Sequence, residues 1–422
     1  MYSIKRIWVS KLDKLWTSAL CATFLLAYFL LLATATLRAQ SYSVIANFNA
    51  YTGQSPAYVT WDGHGNIYGT TFYGGRSGYL GPGVVYKVSP SDSGWKLTLL
   101  YAFTDGLDGG HPNGGITIGP DGSLYGTTNY GGTHGYGVVY KLQPPVAQCR
   151  SALCYWTETV LYNFSGQDDG AGPQGNLVFD GDGNLYGTAL AAVNGTHGAL
   201  YMLSPSPGGW TFHLIHTFTG GMDGGEPANG VIFDRAGNLF GVAEMGGATG
   251  NGVVYEFSRS GSGWSEAILH NFSSSGNPDG VQPGGLAIDS TGNLFGLTSL
   301  GGGSGWGTVF EVQAGSGGYT FNTIFTFTPQ TGGAPGFITT PLLDAAGNVY
   351  GTGGSGGTDG AGIIFRLSPS GGGWDFAVVH NFTGQDGDEP GGTLASDAQG
   401  NIYGATENGG AYSFGVVWQL VP

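Results

Sequence analysis

Ten acidic residues fall in short glycine-rich stretches: Asp105 and Asp108, Asp168 and Asp169, Asp223 and Glu226, Asp279, then Asp386, Asp388 and Glu389. Hard cations such as Ca2+ take roughly six to eight oxygen ligands, and loops of this composition can supply them. No stretch matches the helix–loop–helix calcium pattern, and Asp and Gly also form turns without any ion. Asp105, Asp108, Asp168, Asp169, Asp223, Asp386 and Asp388 are therefore candidate metal ligands, with plain turns as the competing reading.

A second set sits in neighbouring glycine-rich loops: Tyr73, Arg76, Tyr79, Tyr130, His134, Tyr136, His197, Trp306, Tyr412 and Phe414. Rings beside carboxylates and amides suit carbohydrate, because rings stack on sugar faces and carboxylates accept hydroxyl hydrogen bonds. A glycine-rich surface also exposes some rings without purpose. Glu244 and Glu407 stand out within this set. They occupy a slot that elsewhere holds Phe72, Asn129, Leu190, Ser299 or Gly354.

The histidines are less telling. His216, His270 and His380 share a slot with Tyr101, Tyr162 and Phe325, which reads as packing. His111, His134 and His197 lack ligand spacing. No nucleophile elbow, phosphate loop or zinc motif is present. Catalytic residues are therefore not assigned, and no cofactor is required.

Stepping outward, one phrase organises the chain. Gly-Asn-aliphatic-aromatic-Gly, with Ser123 for Asn in one copy, ends at Gly69, Gly126, Gly187, Gly241, Gly296, Gly351 and Gly404, in steps of 57, 61, 54, 55, 55 and 53 residues. Such a period, carrying strand signals, points to a propeller or an array of β units. Each interval has an apolar run before the phrase, the phrase itself, a Gly-Val-Val-Tyr-like run, and a strand ending in Phe. In that last strand Trp95, Trp156, Trp210, Trp264, Tyr319 and Trp374 precede their Phe by eight residues, so both rings share a face. A ring recurring in six of the seven units reads first as a wedge between sheets and second as a sugar platform.

The expected fold is all-β: a seven-bladed β-propeller of four-stranded blades, residues 42–422, as a single domain. The chain opens with a lone fourth-type strand, Ser43 to Phe48, and ends with a third-type one, Gly415 to Leu420. The N-terminal strand should join the last blade and close the ring. Glu244 and Glu407 would then lie three blades apart, too distant for a glycosidase pair held ~5–9.5 Å apart.

Residues 1–39 read as an export signal: Lys5, Arg6, Lys11 and Lys14 precede an apolar stretch. The uncharged run Leu15 to Leu37 also suffices for a membrane anchor. The chain carries a net charge of −15; losing 1–39 removes five basic residues and Asp13, leaving −19. That balance excludes nucleic acid and anionic membrane surfaces as partners. Cys149 and Cys154, in an exported chain, read as a disulfide.

The Asp-x-x-Gly-Asn-aliphatic-Tyr phrase resembles the inner hairpin of NHL-type propellers. The whole repeat, with Tyr-Gly-Thr, Gly-Gly, Gly-Val-Val-Tyr and Leu-Tyr-x-Phe, more specifically resembles the GloVer tandem-repeat ("choice-of-anchor") exported bacterial proteins over residues 42–422. The resemblance implies a secreted or cell-surface location and no defined activity. The functional expectation is a non-catalytic binding module for an extracellular polysaccharide or a surface protein, touching a membrane only through an uncleaved N-terminal segment. A carbohydrate-active hydrolase or lyase on the loop face is the alternative.

Overall fold

The structure, a computed structural model, describes residues 40–145, 156–190, 194–261, 263–273, 278–333 and 339–422. Tyr42–Leu420 form one compact unit. The leader assigned to residues 1–39 and the Cys149–Cys154 pair lie outside the described residues. All regular structure among the described residues is strand.

Strand formation follows from local chemistry. In each repeat an Asp accepts hydrogen bonds from the Asn of the phrase, which closes the turn between the first two strands. Asp62 takes the Asn66 backbone N–H at 3.0 Å and its side-chain amide at 2.6 Å. The same clasp recurs at Asp180–Asn184, Asp234–Asn238, Asp289–Asn293, Asp344–Asn348 and Asp397–Asn401, with Asp121–Ser123 as the variant. The final Gly of the phrase makes room for a ring on the third strand. A Cβ on Gly69 would lie 2.3 Å from the Tyr86 hydroxyl, and one on Gly404 would lie 2.2 Å from the Trp418 ring.

The strands of a repeat pair antiparallel in chain order. Repeat 4, for example, runs Gly225–Phe233, Leu239–Met245, Val253–Ser260 and Gly263–Asn271. The innermost strands of neighbouring repeats touch through parallel bridges, Asn176↔Gly230, Thr339↔Gly392 and Tyr58↔Thr393. Tyr58↔Thr393 connects the first repeat to the last. The lone strand Ser41–Asn47 lies beside Val416–Val421, the expected pairing of the chain's two ends.

The core sits in the seams between repeats rather than in one centre. Each apolar cluster draws on two neighbours; one joins Tyr186, Leu200 and Phe218 to Val231, Leu239 and Tyr255. Another joins Ile45, Ala46 and Phe48 to Val59, Tyr86 and Tyr403, across the first and last repeats. The outer rings confirm the wedge reading. Trp156 meets Tyr68 of the preceding repeat, and so on through Trp210–Tyr125, Trp264–Tyr186, Tyr319–Phe240 and Trp374–Phe295 to Trp95–Tyr403, with centroids 5.9–6.5 Å apart. Each edge-on pair is worth ~0.5–1.5 kcal/mol beyond its buried area.

Candidate functional site

A proline opens most innermost strands and fastens one repeat to the next. Cβ atoms on Gly83, Gly137, Gly198, Gly252, Gly362 and Gly415 would lie 2.4–2.8 Å from Cδ of Pro112, Pro173, Pro227, Pro283, Pro390 and Pro56, respectively. The residue before each proline is held at φ 54–56°: Ser55, His111, Gly172, Glu226, Gln282 and Glu389. Side chains rarely adopt this left-handed conformation, at a typical cost of ~1–3 kcal/mol. Its return is a backbone hydrogen bond to the preceding repeat, such as His111 to the Pro82 carbonyl or Glu226 to that of His197, both 2.6 Å.

These pre-proline residues form one ring of positions, and the Glu244/Glu407 slot forms a second, across the strand pair. In repeat 4, Glu226 and Glu244 fall between the paired Gly225–Met245 and Pro227–Ala243. In repeat 7, Glu389 and Glu407 fall between Asp388–Asn408 and Pro390–Thr406. Other repeats place Ser55 with Phe72, His111 with Asn129, and Gln282 with Ser299. Only repeats 4 and 7 set two carboxylates against each other. Burial, and then the charge of Glu226, push Glu244 up to about 7. Burial followed by Glu389 pushes Glu407 in the same direction.

Tyr58 lies at the centre. At its level the other repeats carry Gly115, Asn176, Gly230, Gly285, Thr340 and Thr393, so it is the one large ring in a row of small side chains. It is 2% exposed, and its hydroxyl has no hydrogen-bond partner within the protein. Burial raises its pKa, followed by the charges of Glu407 and Glu244, so both carboxylates act on one phenol. The two glutamates, expected to be too far apart for a glycosidase pair, are thus related through a residue of a third repeat.

Rings gather beside this centre. His111 lies 5.0 Å from Phe72, 5.3 Å from Tyr73 and 5.5 Å from Tyr130, and its Nδ1 sits 3.0 Å from the Phe72 carbonyl. Tyr130 is 53% exposed. Thus Tyr73 and Tyr130, two of the carbohydrate candidates, meet around a histidine that the spacing had left unassigned.

The profile of the Gloeobacter/Verrucomicrobia repeat family matches residues 32–247 and 228–422. The chain belongs to that family. No curated protein matches the sequence. Among solved structures, a periplasmic gluconolactonase of Pseudomonas aeruginosa is similar at 16% identity and TM-score 0.50, over 80% of this chain and 85% of that one. The NanB sialidase of Streptococcus pneumoniae shares 12% identity at TM-score 0.42, over 90% and 70%. The first of these likenesses supports an all-β, propeller-like fold and carries no activity.

In this Gloeobacter/Verrucomicrobia repeat chain four of the loop aspartates offered as metal ligands close their loops through hydrogen bonds. Asp108 accepts from the Tyr101 hydroxyl at 3.0 Å, Asp169 from Tyr162 at 2.9 Å, and Asp223 and Asp386 bond His216 and His380 at 3.1 and 3.0 Å. The same carboxylates take the backbone N–H and hydroxyl of Thr104, Ser165, Thr219 and Thr383. His270 and Asp279 repeat the pattern at 3.2 Å. Where the slot holds Phe325 or Ala46, which cannot donate, a threonine closes the loop instead: Thr331 on Thr328, and Thr52 on Asn49. The histidine slot is therefore a donor position as well as a packing one. Asp168 bonds Asn194, Asp105 sits in a positive-φ turn and Asp388 begins a strand. Among the described residues no three His, Cys, Asp or Glu side chains form a group able to hold a metal ion.

Three ring candidates lie half-buried against loop backbone. Tyr136, His197 and Trp306 precede the Gly of their third strands and cover Gly166, Gly220 and Gly333 of the following loops. Arg76, His134 and Tyr412 lie exposed in separate loops.

Proposed function

We propose that this chain is an exported, seven-bladed β-propeller of four-stranded blades. It acts as a non-catalytic module that binds a polyhydroxylated extracellular ligand at the centre of its loop face. Seven antiparallel repeats, seam clusters that run from the last repeat to the first, and the Ser41–Asn47 strand beside Val416–Val421 support the architecture. One observation carries the function: the repeats agree at their seams and differ at the two central rings. There Glu226/Glu244, Glu389/Glu407 and the Phe72–Tyr73–His111–Tyr130 cluster break the pattern. An uneven ring of carboxylates beside exposed aromatics is what a polar ligand with flat faces requires.

A glycan array, read beside a panel of chromogenic polysaccharides, tests this. Binding without turnover is expected, and no binding to any glycan would sink the proposal. A second reading, a sugar-directed hydrolase or lyase, draws on Glu244. A carboxyl held near 7 is suited to exchanging protons at neutral pH. Turnover abolished by Glu244→Gln would establish that reading in place of the first.

A further inference from the structure

We propose that the central mouth binds an organic ammonium group on a polyhydroxylated body, an amino sugar being the simplest such ligand. The inference rests on the binding reading above and names its ligand class. Its starting point is Tyr58, a phenol almost wholly enclosed and without a partner, subject to the charges of Glu244 and Glu407 from two separate repeats. Buried polar groups normally find a partner, and an orphan on an innermost strand, beside a partly exposed carboxylate, points to something that enters from outside.

The surroundings indicate what enters. Asn129 Oδ1 and Gln282 Oε1, from the same two rings as the glutamates, also lack partners within the protein. So do both amide atoms of Asn229, on the innermost strand of repeat 4. Apart from the Tyr58 hydroxyl and the Asn229 amide nitrogen, these unmatched groups are acceptors. Neither ring contains a lysine or arginine. The acidic pairs instead face each other, Glu226 with Glu244 and Glu389 with Glu407, and like charges across a strand pair repel. Glu389 is partly quenched by the Asn408 amide at 2.6 Å; Glu244 and Glu407 are left to the mouth. An ammonium group offers three donors, accepts nothing, and cancels one charge of each pair it approaches. Hydroxyls on the same ligand can meet the remaining amide acceptors. The rings at His111, Tyr73 and Tyr130 stand where a sugar face would stack.

The inference is tested by calorimetric titration of the whole exported chain with chitobiose-type glucosamine disaccharide, its N-acetylated counterpart, cellobiose, and Ca2+ alone, at neutral pH. The glucosamine disaccharide should bind, with the two neutral sugars at least about tenfold weaker, as expected when a charge-assisted contact is lost. Glu244→Gln and Glu407→Gln should each weaken it by about tenfold to a hundredfold while circular dichroism stays unchanged. Tyr58→Phe should weaken it less. Equal binding of all three sugars would overturn the ammonium assignment and leave the carbohydrate reading standing. Turnover of a bound amino sugar would do the reverse. Binding of Ca2+ that competes with the sugar, unchanged affinity in both Gln variants, or no binding of the amino sugar would each overturn the inference.

Discussion

The seams between repeats and the mouth at their centre are made from the same strands, yet they follow opposite rules. At the seams a ring on one repeat meets a ring on the next, a glycine meets a proline, and the substitutions that occur keep the shape, as with Tyr319 for Trp. At the mouth, positions equivalent in backbone carry Ser55, His111, Glu226, Gln282 and Glu389. Packing sets the residue where neighbours interlock. Where the backbone alone makes the joint, the side chain is released for other work.

The comparison can be broken most severely at the seam of the first and last repeats. Deleting residues 40–48 removes Phe48 and bares the edge of Val416–Val421. The loss of one buried Phe costs ~3–5 kcal/mol, and the exposed edge invites pairing between molecules. The truncated chain should melt far lower or aggregate, as read by calorimetry and light scattering; equal melting temperatures would show that this seam is not holding the ends.

The loop clasps come next. Asp223→Ala should cost about 1–2 kcal/mol, since it frees the Thr219 N–H, its hydroxyl and His216 together. Thr331→Ala, in the repeat whose slot is Phe325, should cost less because no ring donor depends on it. Denaturant unfolding of the two variants decides between them.

At the mouth the effect turns on pH. Glu244 is an acid whose folded pKa is raised, so its contribution to stability is full below its unfolded value near 4.5 and is lost as pH rises through about 7. Glu244→Gln should therefore gain melting temperature relative to the native chain as pH goes from 5 to 8. A difference that stays flat with pH would refute the buried-carboxyl account. The smallest effect is expected at Ser55→Gly, which relieves a left-handed serine but loosens the unfolded chain; the net change should stay within about 1 kcal/mol.

The fold was legible because its signals repeat. The Asp–Asn clasp, the Trp eight residues before Phe, and the glycine facing a third-strand ring each recur, and each has a local physical cause. The site was less legible because its parts are defined by the ring as a whole. Tyr58 looks like an ordinary strand residue until its level is seen to be filled elsewhere by Gly, Asn and Thr. Glu244 and Glu407 lie 163 positions apart in the chain, and only the shared phenol relates them. The turn role of the loop aspartates has one signal in the sequence. An Asp follows the slot by six to nine residues when the slot is Tyr or His, and is replaced by Thr when it is Phe325 or Ala46.

The glycine–proline contact has a mechanical consequence. It occurs at Gly415–Pro56, where the strand Ser41–Asn47 from the far end of the chain completes the last repeat before running on into Gln54–Trp61, as it does at Gly252–Pro283, where the preceding repeat is one unbroken run of chain. The joint is thus the same whether the repeat it leaves is made of one run of chain or of both ends of it. The gap in the thread therefore lies inside the last repeat, between Val416–Val421 and Ser41–Asn47, where strand pairing alone holds two segments side by side, and not at a joint between repeats.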